Sequence, residues 1–381
     1  MTSKTLRNFV FALHRYLGLA IGLIAIVIGL TGSILVFHTE ISNFQRHHKI
    51  GTIAPQGELL SVETIMNAVK PIYANQPDAL LQVFYLSPKL NEPANVVYAT
   101  KANDWIDNYV NPYTGAVLSN TLNPDLMESF FKLVYKLHYA LLAGDIGTKL
   151  VGIIGLLMCI LTITGVVLWP GWRKLISGFK IKWNAHPKRM NFDIHKVVGI
   201  VAVVFLVFTF FTGFCWNLYE FSEPMIRAIT FSPSKTEPVS QPIALQSPLP
   251  LTKQLKTAQA ALPGAKLQTI YFPSKPENTL SMRYKFPQEM GDYGSSYVYL
   301  DLYSGKVLRV DNGLQQSLGD RVLNSFVPLH YGTFGGLLTR IFYVFVGLTP
   351  TVLFMTGFVM FRYRHRTKMT TKDSIYTTSI R

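Results

Sequence analysis

The chain has 381 residues, of which 49% are hydrophobic and only 15% are charged, whereas soluble proteins average about 25% charged residues. This composition argues against a soluble enzyme and indicates a membrane protein. The formal charge of +15 does not indicate nucleic-acid binding, because the cations are concentrated in segments that flank apolar runs.

Four apolar runs are long enough to cross the roughly 30 Å hydrocarbon core of a bilayer as helices. The cation-rich segments all fall on one side of a four-span arrangement, so the positive-inside rule predicts that they and both termini are cytoplasmic. In chain order the predicted regions are 1–37 (cytoplasmic N-terminus and first span, from about residue 16), 38–147 (first outer domain), 148–169 (second span), 170–196 (cytoplasmic loop), 197–218 (third span), 219–336 (second outer domain), 337–361 (fourth span) and 362–381 (cytoplasmic tail).

The sequence aligns with itself, which predicts an internal duplication. HRYLGLAIGLIAIVIGLTG from His14 aligns without gaps with HKVVGIVAVVFLVFTFFTG from His195. LHYALLAGDIG from Leu137 aligns with LHYGTFGGLL from Leu329, and a Thr-Gly pair follows each of the two histidines 26 residues later. The predicted unit is therefore span, outer domain and span, used twice.

The two outer domains read as small α+β modules. In each, a helical pattern (VETIMNAVKPIY and LTKQLKTAQAAL) precedes two or three runs with strand character. LQVFYL at 81–86 matches LQTIYF at 267–272 between the two copies. A Tyr-Thr-Gly or Tyr-Ser-Gly element in each copy indicates a hairpin turn, with Gly115 and Gly305 at positions that tolerate a positive φ.

Four of the nine histidines occur as equivalent positions of the two copies. We call His14 and His195, at the predicted cytoplasmic ends of spans one and three, the inner pair. His138 and His330, just before spans two and four, are the outer pair. Histidines without a histidine counterpart are more often solvated or interfacial side chains; these are His38, His47, His48, His186 and His365. His38 is a further candidate at the outer side, although its counterpart is Tyr219.

The paired histidines are open to several interpretations, including helix-end polarity and hydrogen bonds between helices. Ionisable residues near a membrane span are functional candidates by default, and two imidazoles at each face match the axial ligation of one haem per face. Because a CxxCH motif is absent, such haems would be bound non-covalently.

Helical spacing places small residues beside the histidines. Gly18 and Gly199 follow the inner-pair histidines by one turn, and Gly32 and Gly213 follow them by 18 residues, or about five turns and 27 Å. These glycines would face the same way as the histidine and leave room for a flat macrocycle, although small residues also serve ordinary helix packing in membranes. Arg15 and Lys196, the cation after each inner-pair histidine, are candidates to bind haem propionates.

Taken together, HRYLGL…TG, LHYALLAGDIG…TG…LWPGWRK, HKVVGI…TG and LHYGTFGG…TG resemble the PepSY-associated transmembrane family, which includes bacterial inner-membrane ferric-siderophore reductases. The resemblance covers essentially the whole chain. It implies a four-helix membrane core with two b-type haems, one held by the inner and one by the outer pair, and two periplasmic PepSY domains. It also implies electron delivery to Fe(III)-siderophores. His38 remains an alternative iron ligand at the outer layer.

No G-x-G-x-x-G nucleotide fingerprint occurs in the cytoplasmic segments, so the expected reductant is a cytoplasmic partner or a quinol. Two other functions stay open. One is a membrane cytochrome b that serves a different periplasmic acceptor, and the other is a non-enzymatic protein whose PepSY-like modules bind peptides or restrain a protease. The four equivalent histidines disfavour the last, since a membrane anchor does not need them.

Overall fold

The computed structural model of the chain describes residues 3–76, 78–87, 89–100, 104–242, 247–289 and 293–378. The end of the predicted cytoplasmic tail, residues 379–381, lies outside the described residues. The chain divides into two compact units. The helical unit comprises Met1–Thr39, Phe130–Ile226 and Ser325–Arg381, and the sheet unit comprises Glu40–Ser129 and Arg227–Asn324.

The α-helices of the described residues are α1 (Ser3–Leu35), α2 (His38–Ile50), α3 (Val62–Val69), α4 (Leu126–Ala140), α5 (Gly144–Leu168), α6 (Leu175–Phe179), α7 (Pro187–Asn217), α8 (Tyr219–Ile229), α9 (Leu251–Ala261), α10 (Leu318–Tyr331) and α11 (Gly336–Thr378). Short 3₁₀ turns follow α3, α5 and α10, at Lys70–Tyr73, Pro170–Trp172 and Thr333–Gly335.

Among the described residues, four helices are long and apolar enough to cross a membrane, which agrees with the four predicted spans. The candidate spans are Lys4–Leu35, Gly144–Trp172, Pro187–Asn217 and Thr333–Arg364. Within the bundle, α1 and α7 each pack against both α5 and α11. Tight backbone approach helps at one of these contacts, since a side chain at Gly29 of α1 would meet the carbonyl oxygen of Gly347 in α11.

Two span helices begin earlier than their apolar runs. Helix α1 begins at Ser3 rather than near residue 16, and α7 begins at Pro187 rather than at 197. Proline suits the first helical position, where its missing N–H costs nothing, and the His186 side chain accepts a hydrogen bond from the backbone N–H of Lys188 as the N-cap. The inner-pair histidines therefore lie inside long helices and not at their ends.

In the sheet unit, the described residues form an eight-stranded antiparallel sheet with the order β4-β3-β2-β1-β5-β6-β7-β8. Its strands are β1 (Leu80–Tyr85), β2 (Ala94–Ala99), β3 (Trp105–Val110), β4 (Val117–Asn120), β5 (Lys266–Tyr271), β6 (Leu280–Lys285), β7 (Ser296–Leu300) and β8 (Val307–Asp311). Each aligned half thus contributes four strands, more than the two or three that the sequence predicted, and Gly115 and Gly305 have the predicted positive φ of 74° and 70°.

The two halves of the sheet meet at β1 and β5. Phe84 pairs with its own counterpart in the alignment, Ile270, and the flanking pairs are related by exchange of the two halves. β-Bulges lie at matching places, between Leu81 and Val83 in β1 and between Leu267 and Thr269 in β5. The sequence predicted two modules but did not predict that their strands would pair.

One hydrophobic core serves both halves. Buried residues of the first half, such as Val69 and Phe84, belong to the same cluster as Ala258, Ile270 and Met282 of the second. The Glu63 side chain of α3 also accepts a hydrogen bond from the backbone N–H of Thr252 in α9, at 3.1 Å. Because the core is shared, we expect the sheet unit to unfold as one cooperative body.

Candidate functional site

The structure brings the four equivalent histidines together as two pairs. The ring centres of His14 and His195 are 6.1 Å apart with planes at 83°, and those of His138 and His330 are 6.1 Å apart with planes at 71°. Each pair takes one histidine from each aligned half of the chain. The pairing is the one that the sequence predicted, and the role of the four rings as ligands stays a prediction.

Different elements position the two pairs. His14 and His195 lie on α1 and α7, which share the neighbours α5 and α11. His138 and His330 lie near the C-terminal ends of α4 and α10, just ahead of the spans in α5 and α11. Leu142 after α4 and Gly332 after α10 adopt the left-handed conformation, with φ of 61° and 68°, and end these helices.

The helices that carry the outer pair both begin with a capping box. Asp125 and Glu128 exchange side-chain hydrogen bonds to each other's backbone N–H at the start of α4, and Ser317 and Asp320 do the same at the start of α10. Asp125 and Ser317 each precede the histidine of their helix by 13 residues. The capping boxes are a local sequence signal for these two helices that the alignment alone did not use.

Asp320 is also the acceptor of a charged cluster in the sheet unit. Its carboxylate lies 3.1 Å from Nη2 of Arg227 and 2.9 Å from Nζ of Lys235, and the Ser317 hydroxyl donates to it at 2.8 Å. Partial burial alone would raise the pKa of Asp320, but the hydrogen bonds from Lys235 and Ser317 and the nearby positive charges lower it to about 2.

A threonine contacts Nδ1 of every paired histidine. The distances from Nδ1 to the hydroxyl oxygen are 2.9 Å for His14–Thr164, 3.1 Å for His138–Thr31, 2.9 Å for His195–Thr356 and 2.7 Å for His330–Thr212. All four threonines are buried, and each belongs to a Thr-Gly pair of the repeat. From sequence, these pairs were predicted only to leave space beside the histidines, and the hydrogen bonds were not predicted.

The second ring nitrogen of each paired histidine has a different environment. Within the described residues, every hydrogen bond of these four rings involves Nδ1, and Nε2 has no hydrogen-bond partner. Imidazole rings with a hydrogen bond at one nitrogen and no partner at the other are typical of metal-binding histidines, in which that hydrogen bond orients the ring.

The glycines of the Thr-Gly pairs lie against the histidines. An added Cβ at Gly32 would come 3.0 Å from Cε1 of His138, and one at Gly165 would come 3.2 Å from Cε1 of His14. The contacts at Gly213 with His330 and at Gly357 with His195 are looser, at 3.7 and 3.6 Å. Gly32 and Gly213 thus lie beside the outer pair, as the five-turn spacing predicted.

A cavity of about 1110 Å³ surrounds the inner pair. Gly18 and Gly199 line it together with both inner-pair histidines, and apolar side chains of the bundle helices form most of its wall. Cationic residues line it as well, among them Lys4, Arg7, Arg15, Arg189, Lys196 and Arg364. A largely apolar chamber with cations suits a flat apolar ligand with anionic substituents.

The two predicted propionate cations differ. Lys196 is buried and its ammonium lies 2.5 Å from a carboxylate oxygen of Asp193, which is fully buried and also binds Arg189 at 3.1 Å. Arg15 stacks on Tyr16 at 4.4 Å, and its buried Nε has no hydrogen-bond partner among the described residues. Arg15 is therefore the better candidate to bind an anionic group, whereas the charge of Lys196 is already compensated.

The remaining histidines have other surroundings. The ring of His38 contacts Phe131 with centres 4.7 Å apart, His186 caps α7, and His47 and His48 are exposed. The side chain of His365 lies outside the described residues. The outer pair also has an aromatic neighbour that was not predicted from sequence: the ring centre of Trp216 lies 4.8 Å from that of His330.

Each pair has the separation that a shared metal ion requires. A first-row metal ion binds an imidazole nitrogen at about 2 Å, and the ring centre lies about 1 Å beyond it, so two rings on opposite sides of one ion have centres about 6 Å apart. The described residues contain no group of three or more histidine, cysteine, aspartate or glutamate side chains that could hold a metal ion. A pair of imidazoles fits an iron whose other ligands come from a porphyrin.

Comparison with known proteins identifies a family. Residues 11–364, nearly the whole chain, match the PepSY-associated TM region. The match confirms, at the level of the family, the resemblance carried by the histidine motifs. No curated protein matches the chain at a significant level.

Proposed function

The chain belongs to the PepSY-associated TM family, and on that premise we propose that it is a membrane oxidoreductase with two b-type haems, which passes electrons across the bacterial inner membrane to Fe(III)-siderophores. The observation that carries the proposal is the pair of 6.1 Å histidine contacts, with Nδ1 anchored and Nε2 unpartnered in all four rings.

In this proposal His14 and His195 hold one haem, and His138 and His330 hold the other. A b-type haem with two imidazole ligands supplies one-electron transfer. Thr31, which contacts His138, follows His14 by 17 residues on α1, or about 26 Å along the helix axis. The two pairs are therefore separated by about 26 Å along the same helix, which suits a path across a bilayer.

The other residues of the site bind, orient and insulate. Arg15 would neutralise a propionate of the inner haem, and Gly18 and Gly199, which line the cavity, would leave space for the flat macrocycle beside the rings. Apolar side chains such as Leu353 and Phe354 exclude water from the inner pair. We expect exclusion of water to limit solvent reorganisation.

We further propose that the chain arose by internal duplication, with both termini in the cytoplasm and the sheet unit in the periplasm. The matched bulges of β1 and β5, the matched turns at Gly115 and Gly305 and the equivalent histidines support the duplication. The concentration of cations in residues 1–15, 170–196 and 362–381 supports the topology.

The proposed substrate is an Fe(III)-siderophore that arrives in the periplasm. Reduction to Fe(II) weakens its binding to hard oxygen ligands, so the metal is released. The electron comes from a cytoplasmic reductant or from quinol in the bilayer, since the cytoplasmic segments carry no nucleotide-binding fingerprint.

The first test is the reduced-minus-oxidised visible spectrum of protein purified in detergent. We expect the shifted Soret band and sharp α band of b-type haem, with two haems per chain by pyridine haemochrome assay. The control is His47→Ala, which changes an exposed histidine outside the pairs and should retain both haems. A protein without these bands would refute the haem proposal and favour the peptide-binding alternative.

The second test addresses the acceptor. Protein reduced with dithionite and freed of excess reductant is mixed with an Fe(III)-siderophore in a stopped-flow instrument, with Fe(II) trapped by ferrozine. We expect reoxidation of the haem bands with matching formation of Fe(II). Reduced haem that is indifferent to hydroxamate, catecholate and carboxylate chelates alike would support a different periplasmic acceptor.

A further inference from the structure

We propose that the four threonines next to the paired histidines fix all four imidazoles as the Nδ1–H tautomer and thereby act as positioning residues for the proposed haem ligands. The four are Thr31, Thr164, Thr212 and Thr356. The tautomer assignment stands on hydrogen-bond geometry alone, and the link to haem rests on the proposed function.

Each threonine hydroxyl has one proton, and a carbonyl of its own helix is placed to accept it. The hydroxyl of Thr31 lies 2.7 Å from the oxygen of Val27, that of Thr164 2.8 Å from Leu161, that of Thr212 2.6 Å from Phe208 and that of Thr356 2.7 Å from Val352. Carbonyl oxygens only accept hydrogen bonds. Each threonine oxygen is therefore left with lone pairs facing the histidine.

The carbonyl groups provide an independent argument for two of the rings. Nδ1 of His14 lies 3.1 Å from the oxygen of Leu161, and Nδ1 of His138 lies 3.0 Å from the oxygen of Ile28. In both cases the carbonyl belongs to the residue three positions before the contacting threonine. An unprotonated Nδ1 would direct its lone pair at two oxygen atoms, so Nδ1 must carry the proton.

The consequence is that Nε2 carries the lone pair in all four neutral rings. That nitrogen has no hydrogen-bond partner among the described residues. The geometry thus prepares four Nε2 atoms, two in each pair, as metal ligands before any metal binds.

The choice of threonine also has an electronic consequence. A hydroxyl is a neutral acceptor, so it makes the imidazole moderately more basic, whereas a carboxylate would draw the Nδ1 proton strongly and give the ring anionic character. Loss of the hydroxyl should weaken the histidine as a donor to Fe(III) more than to Fe(II). The midpoint potential of the haem in that pair should rise.

The tautomer is tested directly by NMR of protein labelled with ¹⁵N-histidine, with and without haem. We expect four histidines with a protonated Nδ1 and an unprotonated Nε2 in the haem-free protein. Finding the paired histidines with a protonated Nε2 would overturn the assignment. This readout does not depend on the proposed function.

The positioning role is tested by Thr164→Val, Thr164→Ser and the matched pair Thr31→Val and Thr31→Ser. Valine has the shape of threonine without the acceptor, and serine restores the hydroxyl. Thr164→Val should cost about tenfold in the preference for Fe(III), or about 59 mV at the inner haem for a one-electron couple. The midpoint potential of the outer haem should be unaffected. Thr31→Val should raise the potential of the outer haem and leave that of the inner haem unchanged.

The outcomes are separable. Valine variants with the wild-type potentials of both haems would overturn the positioning role even if haem is present. Wild-type protein with no haem would refute the proposed function while leaving the NMR test of the tautomer in place. A shift that serine does not restore would show that the side chain acts through packing alone, which also overturns the proposal.

Discussion

The inner and outer histidine pairs have the same ring separation and the same threonine contacts, but they are built on different supports. His14 and His195 lie inside two long membrane helices, α1 and α7. His138 and His330 lie at the ends of the shorter helices α4 and α10, each held by a capping box at its start and a left-handed turn after its end. Similar contacts of the rings are thus reached from different backbone structures.

The surroundings of the pairs differ as well. Cations, including Arg15, line the cavity at the inner pair, whereas Trp216 packs against His330 at the outer pair. The inner pair should therefore depend on membrane helix packing and charge, and the outer pair on the integrity of two capped helices. Changes in either support should affect one pair and spare the other.

The largest expected effect comes from removing one ring. His14→Ala should remove the proposed inner haem, because one of the two imidazoles that would hold it is lost, and leave about half of the total haem. His138→Ala should do the same to the outer haem. The haem content of each variant is measured by pyridine haemochrome assay, and the remaining haem is identified by its midpoint potential.

If the pairs are independent sites, each variant will retain the haem that the other variant loses. Loss of both haems in either variant would show that the pairs do not form separate layers, provided that circular dichroism shows the helices to be intact.

The second prediction uses the cap of α10. Asp320→Asn should destabilise the sheet unit and the start of α10 by about 2 kcal/mol at pH 7, because it removes the carboxylate charge that both Arg227 and Lys235 contact and leaves Lys235 with Asp311 as its remaining ion-pair partner. The folded-state pKa of Asp320 is lowered to about 2. Its stabilisation is therefore complete above the usual aspartate pKa of about 3.9 and is lost as the pH falls towards 2.

Thermal unfolding between pH 7 and pH 3 measures this effect. The wild type should lose stability below about pH 4 more steeply than Asp320→Asn, and the outer haem should be lost before the inner haem in the variant. The control is Asp145→Asn, which changes an exposed carboxylate at the start of α5. Equal pH profiles of wild type and Asp320→Asn would contradict the role of this carboxylate.

Much of the site could be predicted from sequence because the aligned histidines share a helical periodicity. The ungapped match between His14 and His195 predicted the inner pair, and the 18-residue spacing placed Gly32 beside the outer pair. The threonine hydrogen bonds could not be predicted, since they join helices whose relative rotation the periodicity does not determine. The pairing of β1 with β5 could not be predicted either, because the sequence of one module alone does not show which strand its edge strand will pair with.

The charges show a similar limit. Arg15 and Lys196 occupy equivalent positions in the alignment, so the sequence treated them alike. Asp193, three residues before Lys196, has no acidic counterpart before Arg15, and in the structure its carboxylate forms an ion pair with the ammonium of Lys196. Departures from the repeat were therefore as informative as the repeat itself.

The third prediction compares these two cations at the inner pair. Arg15→Gln should weaken binding of the inner haem about tenfold, through loss of one charge-assisted hydrogen bond, and leave the haem-free protein as stable as the wild type. Lys196→Gln should instead lower the stability of the haem-free protein and leave haem binding nearly unchanged. The reason is that it leaves the buried carboxylate of Asp193 with one cation fewer. Haem titration and thermal unfolding of the haem-free protein separate the two effects.

Arg15→Gln binding haem as tightly as the wild type would show that another cation of the cavity carries the propionate. In that case Arg189 and Arg364, which also line the cavity, become the residues to test.

The smallest effect is expected at the outer pair, where two glycines on different helices face different histidines. A Cβ at Gly32 would lie 3.0 Å from Cε1 of His138, whereas one at Gly213 would lie 3.7 Å from Cε1 of His330. Gly32→Ala and Gly213→Ala should both gain helix propensity, by up to about 1 kcal/mol. Only Gly32→Ala should also disturb the histidine that it faces, since His138 is held by Thr31 and the Ile28 carbonyl and cannot shift freely.

The difference between the two alanine variants thus isolates the contact with the ring. We expect Gly213→Ala to retain the wild-type midpoint potential of the outer haem, and Gly32→Ala to shift it and lower the outer haem content by an amount equivalent to about 1 kcal/mol. The inner haem should be unchanged in both. Identical spectra and potentials for the two variants would mean that the outer pair tolerates displacement of His138, and that the tight glycine contact serves helix packing and not the position of the ring.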